Sequence, residues 1–230
     1  MLVVDGTASD AAALARTAAA LGFDDDDARR FEIPPAPAAF WSTASWSLCP
    51  PGSPPLALAP VLVAARDQLA TLAAEDALVS LEAAARLLPC AATPIARADL
   101  LALFELLGEA GQAAGSEGNA RFAYEALLAV DPAHTLSSPP GTGYEVLFNE
   151  VRARFASQAQ SSLGLHHAGA ADAVFWDGEA VAAELGVPLR TLPGRHLLQW
   201  RVGPAVVGAF VELPAGGAAH AIVSAEALHD

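Results

Sequence analysis

Histidines are the side chains of this 230-residue chain with the most evident catalytic or metal-binding chemistry. His166 and His167, with Asp172 nearby, suggest a metal site, and His196 suggests a general base. Adjacent residues of an extended segment point to opposite sides, so only one of the paired histidines can join a given site. No Ser/His/Asp or Cys/His set has a recognised catalytic signature. We therefore expect no catalytic residues, no bound metal and no cofactor, with His196 packed at a turn.

The aspartates Asp24–Asp27 are the densest group of potential calcium ligands. An EF-hand calcium loop needs alternating ligands, a central glycine and a final glutamate, and this run has none of these. Asp5-Gly6 lacks the glycine spacing of either nucleotide-binding motif. The acidic run is interpreted as a solvated turn, and the phosphate-loop hypothesis is rejected.

The chain has two cysteines, Cys49 and Cys90, for which two hypotheses are open. They are either unrelated buried thiols or one disulfide in an exported protein. A bridge would close a loop of about 40 residues and stabilise the fold by about 4 kcal/mol in the loop-entropy model. Residues 1–5 lack the basic start and apolar run of a signal peptide. We expect a mature form in the periplasm or cell envelope, with the cytoplasm as the alternative.

Charge and hydropathy argue against two classes of partner. The net charge is −14, and all 12 basic residues are arginine. Nucleic-acid binding needs a basic face, and anionic lipid attracts polybasic segments, so we expect neither partner. The strongest apolar run, Leu56–Ala65, contains Pro60 and is shorter than the roughly 18 residues of a membrane span. We therefore expect no transmembrane segment.

The segment Leu101–His134 has the pattern of two helices joined by a turn. The glycine-rich stretch Gly111–Gly118 separates two halves. Asp131-Pro132 ends the second helix, because the residue before proline avoids the α region. Each half has an apolar face at helical spacing, formed by Leu100, Leu103, Phe104 and Leu107 and then by Phe122, Leu127 and Val130.

This segment resembles a tetratricopeptide (TPR) repeat, a 34-residue helix pair with the pattern W-x2-L-G-x2-Y…A-x3-F…P. Gly111 departs from the pattern at the tyrosine position. The matching residues are Phe104, Leu107-Gly108, Ala120, Tyr124 and Pro132.

A weaker second copy ends at Pro89, which lies 43 residues before Pro132. The excess over the 34-residue repeat is the insertion Cys90–Asp99, which we expect to bulge between the repeats. Tyr144–Gln160 is predicted to be one amphipathic helix that caps the stack with a polar outer face.

The TPR resemblance implies a concave groove that binds a segment of a protein partner. In the motif's register, the side chains that face this groove are Arg66, Glu105, Glu109 and Gln112. TPR domains that clamp carboxylates use lysine and arginine there, whereas this groove has one arginine and two glutamates. We therefore expect a basic or polar partner segment, although two repeats also suit a purely structural stack.

From Ala173 the sequence changes to short β-type runs separated by Asp-Gly, Pro-Gly and Gly-Gly turns. The pattern predicts a small antiparallel β-sandwich. The segment resembles a PEGA domain, which implies a β module of bacterial envelope proteins associated with surface attachment and not with catalysis. The resemblance rests on Val174–Gly178, Val187–Leu189, Leu192–His196 and Ala215–Gly217.

The predicted fold is therefore α+β and multidomain. Residues 1–35 form a short strand–helix–strand unit, and residues 36–60 form a proline-rich linker. Residues 61–160 form the TPR-like helical hairpins with their capping helix, and residues 173–230 form the PEGA-like β-sandwich. The linker's Trp41 and Trp46 are expected to pack on a neighbouring domain or to contact a ligand.

The leading hypothesis is a non-enzymatic interaction or scaffold component of a bacterial cell envelope. Its helical repeats would bind a protein partner, its β domain would attach to a second component, and its apolar residues would allow self-association. One alternative is a saccharide- or lipid-binding module that uses Trp41, Trp46, Trp176 and Trp200. Another is a cytosolic TPR adaptor, and the least favoured is an enzyme built on His166, His167 or His196.

Overall fold

The computed structural model describes residues 45–50, 52–139, 141–168, 172–181 and 189–224, with residues 45–47, 165–168 and 218–224 described by their backbone alone. After one short strand come five helices, and then a region of strands. This order confirms the α+β class. The predicted unit at residues 1–35 and the side chains of Trp41 and Trp46 lie outside this description.

The helices are α1 (Leu58–Ala70), α2 (Ala74–Arg86), α3 (Arg97–Ala113), α4 (Glu117–Val130) and α5 (Tyr144–Phe155). Proline is tolerated in the first turn of a helix, so α1 begins before Pro60 and not after it. α4 ends at Val130, immediately before Asp131-Pro132, as predicted. Within the described ranges, no helix has both the length and the apolar character needed to cross a membrane.

Each helix packs against the next, and α1 also contacts α3. The closest approach is between Gly108 and Tyr124, where a Cβ on the glycine would lie 2.2 Å from a ring carbon of the tyrosine. A Cβ on Gly111 would lie 2.8 Å from the backbone nitrogen of Ala120. Gly111 therefore departs from the repeat pattern for a packing reason, because α4 leaves no space there for a side chain.

The strands form two sheets. They are β1 (Ser45–Leu48), β2 (Ser161–Ala168), β3 (Ala173–Trp176), β4 (Glu179–Val181), β5 (Leu189–Thr191), β6 (Gly194–Val202), β7 (Ala205–Leu213) and β8 (Ala218–Ser224). The main sheet has the order β1-β7-β6-β3-β4 and is antiparallel throughout. The small sheet has the order β5-β2-β8, in which β2 pairs with β5 antiparallel and with β8 parallel.

Two strands lie in segments for which the sequence predicts other structures. β1 falls inside the predicted linker and pairs with β7, so this part of the linker belongs to the main sheet. β2 begins at Ser161, whereas the β region is predicted from Ala173, and α5 ends at Phe155 rather than at Gln160. Long-range bonds explain the change, because Ser161 Oγ donates to Pro214 O and Ser162 N donates to Gly217 O. These contacts outweigh the local helical preference.

The main sheet is buried on both faces. β6 places Leu197 in the core formed by the helices, together with Phe210 of β7. Its alternate residues, Leu198 and Trp200, lie in a second core that includes Leu163 of β2. Burial on both faces explains why the polar–apolar alternation of β6 is only partial in the sequence. The helices and the main sheet therefore share one continuous core.

The insertion between the two helix pairs forms the seam between helices and sheet. It begins with a 3-10 turn at Leu88–Cys90, and a Cβ on Gly208 of β7 would lie 2.6 Å from the Pro89 carbonyl oxygen. Ile95 N donates to the buried Gln199 Oε1 at 2.9 Å. Arg97 contacts Glu179 of β4 at 3.1 Å and donates to Val130 O at 2.7 Å. The predicted bulge is thus replaced by a packed contact layer.

Cys49 and Cys90 form a disulfide across a sequence separation of 41 residues, which confirms that the two cysteines are bridged. The bridge joins the residue that follows β1 to the last residue of the 3-10 turn. It therefore attaches the N-terminal edge of the main sheet to the seam.

Candidate functional site

A cavity of about 370 Å³ lies between α1, α3 and the connection from α4 to α5. It brings together three of the four residues predicted to face the groove, namely Arg66, Glu105 and Glu109. The remaining wall is formed by Leu69, Ala102, Leu106, Ser137, Ser138, Pro139, Thr142 and Tyr144.

The helices determine how the charges of the cavity are arranged. Glu105 and Glu109 are four residues apart on α3 and therefore lie on the same face of that helix. Arg66 comes from α1, which packs against α3. Glu109 and Arg66 make no hydrogen bond or ion pair with any residue that the structure describes. Both charges are therefore available to a ligand.

Glu105 is 6% exposed and holds the strap, which we define as residues 131–139 of the α4–α5 connection. His134 Nε2 lies 2.9 Å from its Oε2, and the backbone N–H of Ser137 donates to its Oε1. The Ser137 hydroxyl lies 3.3 Å from Oε2. Glu105 thus lines the cavity while using both of its oxygens to position the strap.

The two glutamates differ in their pKa values because their partners differ. Burial raises the pKa of Glu105, but the bonds from His134 and Ser137 outweigh it and bring the pKa below its ordinary value. Burial, together with the negative charge of Glu105, raises the pKa of Glu109 to about 7. At neutral pH Glu105 is therefore a charged carboxylate, whereas Glu109 is partly protonated.

The side chain of Gln112, the fourth predicted groove residue, forms hydrogen bonds within the helical region. Its Nε2 donates to Tyr124 Oη at 2.7 Å and to Tyr144 O at 3.2 Å. Burial raises the pKa of Tyr124 well above its ordinary value, so its hydroxyl stays protonated. Gln112 therefore connects α3, α4 and α5 beside the cavity.

The mouth of the cavity is shaped by the start of α5. Glu145 accepts a hydrogen bond from Gly141 N at 2.6 Å and lies 3.4 Å from the Thr142 hydroxyl. The Gly141 N–H lowers the pKa of Glu145, so this carboxylate is charged and orders the turn before the helix. Ser138 also lines the cavity, and its buried hydroxyl has no partner within the described ranges.

A second carboxylate–histidine pair lies between the two sheets. Asp177 occupies the Asp-Gly turn that joins β3 to β4, with φ of 49°, as the sequence predicts for a hairpin. Its Oδ2 lies 2.7 Å from His196 Nδ1, and its Oδ1 accepts the Leu197 N–H at 2.8 Å. His196 also stacks on Trp176, with ring centroids 4.7 Å apart. The prediction that His196 packs and bonds at a turn is confirmed.

The surroundings of His196 favour its doubly protonated form. Its Nε2 lies 2.8 Å from Leu192 O, so both ring nitrogens face acceptors. Burial lowers the pKa of His196, but the charge and hydrogen bond of Asp177 outweigh it and raise the pKa above the ordinary value. Thr191 Oγ1 is 3.5 Å from the same Nε2, which is already occupied. This Asp–His–Thr arrangement therefore holds the turn and does not activate a nucleophile.

Trp176 and Trp200, two of the predicted ligand residues, do not line the cavity. Trp176 is 7% exposed and Trp200 is fully buried, so neither can stack on a ligand. His166 and His167 lie on β2, and their side chains are outside the description. Among the residues that the structure describes, no group of three or more His, Cys, Asp or Glu side chains could hold a metal ion.

Sequence reasoning missed His134 and Ser137, which complete the Glu105 cluster. They lie 29 and 32 residues from Glu105 along the chain, in a segment with no motif. Asp131-Pro132 is a weak signal for these contacts. It indicates that α4 ends there, so that the following residues run back along the other helices. Comparisons with protein-family models, with curated protein sequences and with solved structures found no match to this chain.

Proposed function

We propose that the protein is a non-enzymatic interaction module whose cavity binds a basic side chain on an extended segment of a protein partner. The observation that carries this proposal is Glu109, a carboxyl group without a partner in the described ranges, on the wall of a half-open cavity. Glu105 adds a second negative charge, and Leu69, Leu106 and Pro139 offer apolar contact to the stem of a lysine or arginine.

A basic partner fits the charge of both the cavity and the whole chain. The cavity has two glutamates against one arginine, and the chain has a net charge of −14. A cation that enters beside Glu109 stabilises its ionised form and so lowers its pKa from about 7. Binding should therefore release a proton near neutral pH, which gives the interaction a measurable signature.

We infer the cellular setting from the bridge and from the two resemblances. A disulfide is typical of an oxidising compartment, and Cys49 and Cys90 form one. The close contact of Gly108 with Tyr124 is consistent with TPR-like packing of α3 on α4. The PEGA-like turn at Asp177 suggests that the β region attaches to an envelope component. We therefore place the module in the periplasm or cell envelope as a scaffold.

Site-specific photocrosslinking in the source cells would test the proposal. A photoreactive residue replaces Pro139, which is exposed and lines the cavity, or Val79, which is exposed on α2 and does not line it. We expect Pro139 to capture a protein through a segment that contains lysine or arginine, and Val79 not to capture it. Glu109→Gln should then reduce capture about tenfold, because the cation loses its counter-charge.

The matched control is Asp67→Asn, which removes one negative charge from an exposed position of α1 outside the cavity wall. Long-range electrostatics alone would weaken capture equally in both variants, and that result would contradict a role for the cavity. Capture of an acidic segment at Pro139 would contradict the proposed partner chemistry.

A further inference from the structure

β1 is a short strand at the edge of the main sheet, and within the described residues its main contacts are with β7 and the 3-10 turn. It pairs with β7 through four residues, from Ser45 opposite Glu212 to Leu48 opposite Ala209. Its last residue, Leu48, is 44% exposed, so that side chain adds little burial. A ladder of four residues is at the short end for a strand, so a contact close to β1 along the chain can decide whether it stays paired.

The Cys49–Cys90 disulfide supplies that contact directly after the strand. Cys90 ends the 3-10 turn, which packs on β7 through Pro89 and Gly208. The next anchor along the chain is Leu56, whose N–H donates to Cys90 O at 3.1 Å. Without the bridge, the seven residues 49–55 between β1 and this anchor would become a free tether.

We propose that the Cys49–Cys90 disulfide is a redox latch that keeps β1 paired with β7. In the reductive step, a dithiol attacks one sulfur of the bridge as its thiolate and forms a mixed disulfide. The second thiol of the reductant then displaces that cysteine and closes its own disulfide. Two electrons and two protons pass to the protein, which leaves Cys49 and Cys90 as thiols.

The proposed latch depends on how close the bridge keeps β1 to the edge of β7. With the bridge closed, β1 ends one residue before a fixed point on the seam, so its backbone stays close to β7. With the bridge open, the seven-residue tether lets β1 sample many positions away from the sheet. Because the ladder has only four residue pairs, we expect β1 to leave the edge of β7 more often in the reduced protein.

Release of β1 changes one surface of the molecule specifically. The outward N–H and C=O groups of β7 between Ala209 and Glu212 lose their partners and become an open edge. The opposite edge of β7 stays paired with β6 along its whole length. Reduction therefore exposes backbone hydrogen-bonding groups without disturbing the shared core. This device is independent of the cavity and of the function proposed for it.

Hydrogen–deuterium exchange of the full chain before and after treatment with dithiothreitol would test the latch. We expect amide exchange in residues 45–48 and in the outward amides of 209–212 to become at least about tenfold faster after reduction. Exchange in α3 and in residues 194–202 of β6 should remain unchanged. Reoxidation should restore the slow rates.

The double variant Cys49→Ser with Cys90→Ser should reproduce the reduced pattern without any reductant. The single variant Cys49→Ser leaves the buried Cys90 in place and provides a second test if the double variant folds poorly. Unchanged exchange at 45–48 after reduction would overturn the proposal, since β1 would then be held by its ladder alone. Equal acceleration in every segment would also overturn it, since the bridge would then stabilise the whole fold.

Discussion

The molecule contains two carboxylate–histidine pairs that are alike in chemistry and different in surroundings. Glu105 and His134 meet at 2.9 Å beside an open cavity, with side chains 8% and 14% exposed. Asp177 and His196 meet at 2.7 Å between the two sheets, with side chains 4% and 0% exposed. Both ring nitrogens of the second histidine face acceptors, whereas the first pair borders Glu109, which has no partner among the residues that the structure describes.

The difference shows that the neighbours of an ion pair decide its role. Asp177 and His196 are buried and bonded to each other and to the backbone, so their interaction stabilises the β3–β4 turn. Glu105 positions the strap that forms one wall of the cavity, and its charge raises the pKa of Glu109. The same pairing thus lies in the buried core in one region and borders the cavity in the other.

The largest effect is expected from removing each histidine in turn. His196→Ala leaves Asp177 buried without its cation and should reduce the free energy of unfolding by about 3–5 kcal/mol. His134→Ala leaves Glu105 with its contacts to Ser137 and should cost about 1 kcal/mol. Urea unfolding of the two variants beside the wild type measures both values.

Equal losses in the two variants would break the comparison, because burial would then not distinguish the pairs. Asp177→Asn offers a second check at the buried pair. The amide keeps an oxygen for the Leu197 N–H but removes the negative charge that faces His196. A loss in Asp177→Asn close to that of His196→Ala would attribute the effect to the charge and not to the packing of the ring.

The architecture was largely predictable because its signals are local. The glycines between α3 and α4 and the Asp131-Pro132 stop define two helices from nearby residues alone, and the structure agrees. The pairing of β1 with β7 and of β2 with β8 was not predictable, because it joins segments more than 50 residues apart. For the same reason, proline content alone suggested a linker where β1 lies.

The candidate site was predictable for residues on helices and not for residues in loops. Helical register placed Arg66, Glu105 and Glu109 on one concave face, and all three line the cavity. Register did not show that Glu105 is already bonded to the strap, or that Gln112 bridges Tyr124 and Tyr144. Those contacts depend on the path of residues 131–143, which no period or motif specifies.

A smaller effect, of opposite sign, is expected at Glu109. Its raised pKa means that the folded protein disfavours the charged carboxylate, so Glu109 reduces stability as pH rises from 4.5 towards about 7. Glu109→Gln removes this charge and should raise the free energy of unfolding at pH 8 by about 1–2 kcal/mol, a range that is reduced for solvent screening. At pH 4 the variant and the wild type should be equally stable.

Urea unfolding at both pH values measures this gain, with Asp67→Asn as the control that removes an exposed charge from α1. A higher free energy of unfolding at pH 8 in Glu109→Gln but not in Asp67→Asn, together with weaker partner capture, would support the proposal. It would mean that the charge of Glu109 reduces stability but contributes to binding. A loss of stability at pH 8 would show that Glu109 is paired and would contradict its availability to a ligand.

The smallest expected effect is on the pH dependence of stability. The two pairs contribute to the free energy of unfolding in different pH ranges, and this difference separates them most sharply. The pKa of His196 is raised above 6.5, so its stabilisation is complete below pH 6.5 and is lost as pH rises through the folded-state pKa. The pKa of Glu105 is lowered from 4.5, so its stabilisation is present above pH 4.5 and is lost as pH falls through the folded-state pKa.

In a Glu109→Gln background, which removes the opposing titration, the stability difference between parent and His196→Ala should shrink as pH rises above 6.5. The difference between parent and Glu105→Gln should shrink as pH falls below 4.5. Unfolding free energies measured from pH 3 to pH 9 would resolve both changes. If both differences shrank in the same pH range, the two pairs would not differ in how they stabilise the fold. The electrostatic difference that supports the proposed role of the cavity would then be absent.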